Sequence, residues 1–379
     1  MTSNDLSVLM IDGESKLSLF VARCLAQVPH LRLHVLSEDP WAPLRFSRHK
    51  SSCRRIPPAE TDAQWLDAIV QTVEQTPVDT ILPVGKTATR FVSLHRQQLA
   101  TLGALVPTPD CDTFDTVIDK WSFAQFSARH GLPSPDTILF TDDANFRHKL
   151  DELAFPVLLK PTGDKGGGQG IRYFDTLPLL LEFLDANPQL AGQHIVQTFI
   201  YGYDIDCSFL AQDGNILAHT IQKCFIPRPK RFAPPAGIRF IKHAQTLSII
   251  TQLAAALRWT GVAHVDMLYD EQDSQVKLIE FNPRFWGSLL GSLDMGVNFP
   301  HLACLAGLGI DFPPPDYDLA QFVALDGAMR PVAKKLLGRG DVEFAFRETD
   351  LKYMLADPLA EMVKVFGQLA RSAGLRVGM

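Results

Sequence analysis

Two stretches of this sequence carry residue types at spacings that could do chemistry. The first runs Lys160-Pro161-Thr162-Gly163-Asp164-Lys165-Gly166-Gly167-Gly168-Gln169-Gly170-Ile171. An apolar run enters it, five glycines crowd it, and a second apolar run leaves. Glycines let a backbone approach an anion closely and aim several N–H groups at it, while Lys160 adds a point charge. The chemistry implied is phosphate binding beneath a mobile cover. A plain flexible hairpin is the alternative, and it would need only one or two glycines. The spacing is not that of a P-loop, because no Gly-Lys-Ser/Thr closes it and no helix obviously follows.

The second stretch spans residues 262–282. Glu271-Gln272-Asp273-Ser274 reads as a turn between two apolar-alternating runs. Centring an antiparallel pairing near residue 273 sets Asp266 opposite Glu280 and His264 opposite Asn282, all on one face. Carboxylates directly across a ladder repel, so the pair persists most readily around a cation. Oxygen-only ligands suit magnesium, with phosphate oxygens and water completing the octahedron. A one-residue slip in the turn would scatter the set to opposite faces, and acidic residues on a solvated hairpin are the plainer reading. For His264, hydrogen-bonded packing is the reading favoured over a base or a ligand. Phe281, Phe285 and Trp286 read as core.

These groups must be held by elements that the sequence also outlines. The first hundred residues alternate strands (Leu6–Ile11, Leu31–Leu36, Thr80–Val84) with helical patterns (Ser15–Gln27, Ala63–Glu74), the rhythm of βαβ units around a parallel sheet. The first strand ends in Asp12-Gly13-Glu14-Ser15, which lacks G-x-G-x-x-G and puts acidic groups where a pyrophosphate would sit, so a nicotinamide site is not expected. After a break at Pro107–Asp110, a helix is expected over Asp115–Arg129, ended by Gly131 and Pro133. Strands follow at Phe155–Lys160, Ile171–Phe174, Ile195–Ile200, Asp204–Leu210 and Ile216–Gln222, with helices at Leu177–Asn187 and Leu247–Leu257. Pro227–Gly237, with four prolines and three basic residues, reads as a long functional loop.

Composition narrows the class. The chain has 379 residues, enough for two or three domains, and its 46% hydrophobic and 21% charged content is that of a soluble globular protein. A net charge of −6 argues against a nucleic-acid partner, without excluding a local basic cleft. The N-terminal apolar run is too short for a signal peptide or a membrane span. The six cysteines are scattered without a CxxC pair, so a disulfide framework or zinc site is not expected, and a reducing cytoplasm is.

Four pieces then fall in the order seen in one family. Asp119-Lys120 at a helix start, Phe155–Pro161 with its glycine-rich loop, Ile195–Asp204, and Leu278-Ile-Glu280-Phe-Asn282-Pro-Arg284 resemble the ATP-grasp superfamily. The Glu-x-Asn-Pro-Arg element is nearest its carbamoyl-phosphate-synthetase-like, carboxylate–amine ligase branch. The resemblance covers roughly residues 1 to 310. It implies an α/β chain with α+β grasp lobes: a Rossmann-like pre-grasp domain (1–111), an N-terminal grasp lobe with the glycine-rich lid (112–224), a C-terminal lobe with the metal hairpin (225–312) and a helical tail (313–379).

It also implies roles. Lys120 and Lys160 would contact ATP phosphates, and Gly166, Gly167, Gly168 and Gly170 would close over them. Gln197, Thr198, Phe199 and Ile200 would form the linker that offers backbone groups to adenine. Asp204 would bond the ribose hydroxyls. Asp266, Glu280 and Asn282 would bind one or two Mg2+ ions, with Mn2+ as a substitute, and Arg284 would stabilise the transferred phosphoryl. A loop cation, Lys223 or one of Arg228, Lys230, Arg231 and Arg239, would join the phosphates. Gln197-Thr198 stands where a glutamate is frequent, and Asp204 is shorter than the usual glutamate.

The function implied is ATP-dependent joining of a small-molecule carboxylate to an amine through an acyl phosphate, releasing ADP and phosphate. Three rivals stand beside it: a bicarbonate or thiol acceptor, a carbamoyl-phosphate-type kinase half, and a nucleotide-binding regulatory module without turnover. No Met-Lys-Met biotinyl site occurs in the chain. The residues leave the substrates unnamed, and leave open whether the tail covers the cleft or makes a homodimer.

Overall fold

The computed structural model describes residues 5–163, 168–325 and 344–372. Its first unit is a parallel sheet in the order β3-β2-β1-β4-β5, built from β1 (Ser7–Met10), β2 (Arg32–Ser37), β3 (Ser52–Arg55), β4 (Thr80–Leu82) and β5 (Ala104–Leu105). The strands are short because parallel strands covered on both faces need only a brief apolar run; all four residues of β1 are buried. Around them lie α1 (Ser18–Leu25), α2 (Asp62–Gln75), α3 (Lys86–Leu94) and α4 (Arg96–Leu99). Thr61 and Gln64 start α2 with a reciprocal capping box. The Asp12 carboxylate accepts from Val84 N at 3.0 Å and Gly85 N at 2.7 Å. The N-terminus of α3, where a phosphate would dock, is therefore already capped by the chain's own anion.

The single helix expected over Asp115–Arg129 is two: α5 (Cys111–Ile118) and α6 (Lys120–Arg129). Asp119 between them is extended (φ −91°, ψ 122°), and its carboxylate accepts from Ser122 N at 2.8 Å. A side chain that caps a new helix competes with continuing the old one. Lys120 thereby becomes the first residue of α6, with its N–H on Thr162 O at 2.9 Å.

A four-stranded antiparallel sheet, in the order β6-β9-β7-β8, comprises β6 (Thr137–Leu139), β7 (Val157–Pro161), β8 (Arg172–Phe174) and β9 (His194–Thr198). It is covered by α7 (Ala144–Asp151) and α8 (Leu177–Asp185) through a core that includes Phe146, Leu150, Leu180 and Leu184. The third sheet has the order β14-β13-β10-β11-β12-β15. Its strands are β10 (Gly202–Gln212), β11 (Asn215–Ile226), β12 (Gly237–Ile241), β13 (Gly261–Asp270), β14 (Gln275–Asn282) and β15 (Gln321–Val323). On one face α9 (Ala244–Leu257) packs over Ile205, Cys207, Phe209, Val265 and Phe281. On the other, α10 (Leu289–Asp294) and α11 (Phe299–Gly307) join the sheet to α1 in a core that crosses into the first unit.

Two expected boundaries shift. The division at residue 224 falls inside β11, and both β10 and β11 pair within the six-stranded sheet. A long hairpin finds its hydrogen bonds beside β13, wherever the preceding lobe ends. The tail is not wholly helical, since β15 adds to β12 as an edge strand. Beyond it, α12 (Leu351–Ala356) and α13 (Pro358–Ser372) run back to the first unit, where Arg23 Nη2 and Glu361 Oε2 form a buried ion pair at 2.8 Å. The six cysteines are unpaired. No helix among the described residues is long and apolar enough to cross a membrane.

Candidate functional site

The site grows from the alternation of two strands. On β13, Ala263, Val265 and Met267 enter the core under α9, so His264 and Asp266 face the other way. On β14, Val276, Leu278 and Phe281 all enter that same core, which strict alternation forbids. The ladder explains it: Met267 pairs with Leu278 and Asp266 with Glu280, leaving Ile279 as an extra residue. This bulge turns Glu280 and Asn282 onto the His264–Asp266 face, where Asp266 pairs with Glu280 and His264 with Asn282.

The neighbouring strand adds residues that the sequence reading passed over. On β10, Ser208 pairs with His264, and their Oγ and Nδ1 atoms hydrogen-bond at 2.8 Å. Asp206 meets His264 and Asp266 in a cluster whose ligand atoms all lie within 4.8 Å of one another. Gln222 on β11 pairs with Asp206, donating to its Oδ2 at 3.4 Å and accepting from Ser288 Oγ at 2.7 Å. The signal for Asp206 was available: in Asp204-Ile205-Asp206, strand alternation puts both carboxylates on one face.

Charge is concentrated here. His264 Nε2 and Asp266 Oδ1 are 3.1 Å apart, Asn282 Nδ2 donates to Asp266 Oδ2 at 3.2 Å, and Arg284 Nη2 donates to Asn282 Oδ1 at 3.0 Å. Lys120 Nζ, from the start of α6, lies 3.3 Å from Glu280 Oε1. Burial, followed by the charge of Asp266, holds the Asp204 carboxyl above its ordinary value, and the same causes act more strongly on Asp206. Burial alone would lower His264; the hydrogen bond and charge of Asp266, with Asp206 behind it, outweigh that and hold the imidazole above its ordinary value.

Asp204 and Asp206 are raised because they are buried next to the charge of Asp266, and a divalent cation relieves that crowding. An oxygen-rich set of Asp266, Glu280 and Asn282, backed by Asp206, fits magnesium. A histidine beside the ligands is the one departure from a pure oxygen set.

Lys160, on β7, is 6% exposed and donates to Gln197 Oε1 at 2.6 Å, while Gln197 Nε2 donates to Thr137 Oγ1 at 2.9 Å. Burial lowers Lys160 to about 8, with Glu280 pulling the other way and Lys120 reinforcing the drop. A neutral glutamine where a glutamate is frequent leaves this lysine without a directly bonded counter-charge from β9. Gly168 and Gly170 have φ of +69° and +80°, which L-residues rarely adopt. A Cβ on Gly168 would lie 2.6 Å from Phe232 O, so the glycine-rich loop and the Pro227–Gly237 loop meet backbone to backbone. Gly166 and Gly167 fall outside the described residues.

One expectation is corrected. Lys223 pairs with Ile205 and so faces α9, away from Asp206 and Gln222; its Nζ sits 3.4 Å over the Tyr203 ring. Strand parity removes it from the phosphate site. In the linker, the N–H groups of Thr198 and Phe199 donate to Asp136 O and Pro156 O, each at 2.9 Å, so any backbone group the linker offers a base is one of its others. Thr198 Oγ1, by contrast, is buried without a hydrogen-bond partner. Ile200 is buried, and Arg231 of the loop stacks on Tyr173 at 4.3 Å and Phe199 at 5.5 Å.

The family model described as an ATP-grasp domain matches residues 117–288, the segment that holds Lys120, Lys160, Asp204, Asp266, Glu280, Asn282 and Arg284. This chain carries an ATP-grasp domain. The large chain of the arginine-specific carbamoyl phosphate synthase of Eremothecium gossypii is 25% identical to it over 234 residues, covering 59% of this chain and 21% of that one. D-aspartate ligase of Enterococcus faecium is 23% identical over 279 residues, covering 65% and 64%. The chain thus spans about a fifth of the first relative and just under two thirds of the second.

Among solved structures, N5-carboxyaminoimidazole synthetase from Staphylococcus aureus, complexed with ADP, superposes with a TM-score of 0.67 at 13% identity, covering 88% of this chain and 86% of that one. L-amino acid ligase from Bacillus licheniformis gives 0.60 at 18%, covering 81% and 75%. At these identities the likeness is one of fold. It extends over most of the chain, beyond the matched domain.

Proposed function

We propose that this ATP-grasp chain is an ADP-forming carboxylate–amine ligase. The observation that carries the reading is the convergence of Asp266, Glu280 and Asn282 on one sheet face with Lys120 and Arg284, beneath the strand that presents Lys160. A triphosphate needs opposite charges held in that relation, and its transfer needs positioning more than covalent chemistry.

In the proposed reaction a carboxylate oxygen attacks the γ-phosphorus of ATP. The bond to the bridging oxygen breaks, ADP leaves, and an acyl phosphate remains. An amine nitrogen then attacks the carbonyl carbon, the C–O bond to phosphate breaks, and the nitrogen loses its proton to solvent. Asp266, Glu280 and Asn282 would hold Mg2+, which when bound supplies charge neutralisation at the phosphate oxygens. Lys160 and Lys120 bind and orient the polyphosphate, and Asp204 holds the ribose. Arg284, anchored through Asn282 and Phe285 O, spreads the charge of the transferred group. The glycine-rich loop, meeting Phe232, excludes water from the acyl phosphate. The relatives named as D-aspartate ligase and L-amino acid ligase support an amino acid on one side of the bond.

The test is a screen for ADP and phosphate in the presence of magnesium, across pools of amino acids and other carboxylates, with and without amines, and with bicarbonate as a separate arm. Glu280→Ala serves as the control. Turnover that needs one carboxylate–amine pair and vanishes in the control supports the ligase. Release of AMP and pyrophosphate overturns the acyl-phosphate route. Turnover with bicarbonate alone moves the chain to the carboxylating reading, and ATP binding without turnover in any pool moves it to the regulatory one.

A further inference from the structure

The helix α13 is docked inside out. Its inward positions are Ala360, Glu361 and Lys364: Glu361 pairs with buried Arg23, and Lys364 pairs with Glu361 at 2.7 Å and lies 5.4 Å over the Phe20 ring. Its outward face is apolar. Leu359, Met362, Val365, Phe366 and Leu369 are 54%, 54%, 41%, 63% and 60% exposed. A surface helix ordinarily turns its apolar stripe to its own core and its charges to water. Here the charges hold the helix to the protein, and the stripe is left for something else. A contiguous apolar strip of this kind marks an interaction surface.

We propose that the stripe is the interface for a second copy of this chain. Leu359, Met362, Phe366 and Leu369 follow one another at steps of three, four and three, the heptad seam by which one helix mates with another of the same repeat. Those steps read the same in both directions. An antiparallel two-fold near Lys364 therefore sets Leu359 against Leu369 of the partner subunit, and Met362 against Phe366 of the partner subunit. One surface is its own complement, as an isologous contact requires.

Charge favours the same occupant. The described charged side chains of α13, Glu361 and Lys364, both face inward, and the stripe positions Leu359, Met362, Val365, Phe366 and Leu369 are uncharged, so the stripe itself sets no like charges against a second copy. A helix lying on an anionic lipid surface would instead be edged with exposed basic residues, and the chain as a whole carries a net charge of −6. The stripe lies on the tail, away from Asp266 and Glu280, so this interface is independent of the proposed activity.

The experiment is sedimentation velocity on the full chain over a roughly hundredfold concentration range in the micromolar region, with wild type compared against Phe366→Asp/Leu369→Asp. Both substituted positions face solvent, so the variant is expected to keep its melting temperature and circular dichroism. We expect the wild type to shift from monomer to dimer mass while the variant stays monomeric throughout. A second variant, Val365→Cys, places a thiol beside the two-fold, and mild oxidation is expected to link it as a dimer within the native fold. A wild type that stays monomeric overturns the proposal, as does a dimer that survives in the double variant or a Val365→Cys chain that does not cross-link. Co-sedimentation of wild type, but not the double variant, with phosphatidylserine vesicles would give the stripe to a lipid surface, and likewise overturns it.

Discussion

Asp266 and Glu280 stand opposite one another across the β13–β14 ladder because Ile279 is an extra residue between Leu278 and Glu280. From the turn to Met267 the ladder keeps one register, in which Asp270 pairs with Gln275 and Leu268 with Lys277. Continued without the bulge, that register would put Glu280 opposite Val265 and into the core under α9. The bulge is therefore what brings the two carboxylates together.

Deleting Ile279 is expected to remove the bulge yet keep magnesium-dependent ATP turnover, since Glu280 would then follow Leu278 directly, still opposite Asp266, with Phe281 still in the core. Asp266→Asn separates the chemistry from the folding. It preserves shape, and we expect a raised magnesium requirement with little change in melting temperature. Magnesium titrations of ADP release check both. An unchanged magnesium dependence in Asp266→Asn would remove this residue from the metal site.

Lys160 is lowered to about 8 by burial. A folded value below that of a free lysine means the native state loses its proton first, so this group costs stability at neutral pH and the cost fades as pH rises through about 8. A bound polyphosphate favours the ammonium. ATP binding should therefore take up almost no proton at pH 7 and approach one at about pH 9. Calorimetry in two buffers of different ionisation enthalpy measures this. Lys160→Met should abolish the uptake, and Gln197→Glu should shrink it by supplying the missing counter-charge.

A Cβ on Gly202 would lie 1.7 Å from Tyr269 O and 2.8 Å from its carbonyl carbon. Both atoms belong to β13, whose neighbours leave it no room to retreat. Gly202→Ala is expected to cost about 3 kcal/mol and to weaken ATP binding by displacing Asp204. Urea unfolding and nucleotide titration would show it, and a variant as stable as the wild type would mean that the strand ends yield.

Arg23 and Glu361 pair at 2.8 Å with their side chains almost wholly enclosed, and Arg23 Nε and Nη1 have no other partner. Removing one member leaves an uncompensated buried charge, so Glu361→Ala should cost about 3–5 kcal/mol and Arg23→Met/Glu361→Leu much less. Thermal melts of the two variants compare them directly. Equal losses would show that packing, rather than charge, holds the tail.

Much of this protein could be read from its residues in order. The βαβ rhythm of the first hundred residues, the glycine-rich loop after Lys160, the linker and the Glu-x-Asn-Pro-Arg element are local patterns, and local patterns survive in one dimension. Asp119-Lys120 at a helix start was legible for the same reason, because a capping carboxylate acts three residues away. The facing of Asp266 and Glu280 was expected from the turn, yet it is realised through a bulge that the turn does not contain. What the sequence could not decide is where strands go sideways. The placement of β10 and β11 in the six-stranded sheet, the entry of Asp206 and Ser208 into the site, the turning away of Lys223 and the joining of β15 all depend on pairing between distant segments. Side-chain parity follows from that pairing, and pairing is set by the packing of whole sheets. The inside-out seating of α13 has the same origin, since only the tertiary fold puts Arg23 where Glu361 can reach it.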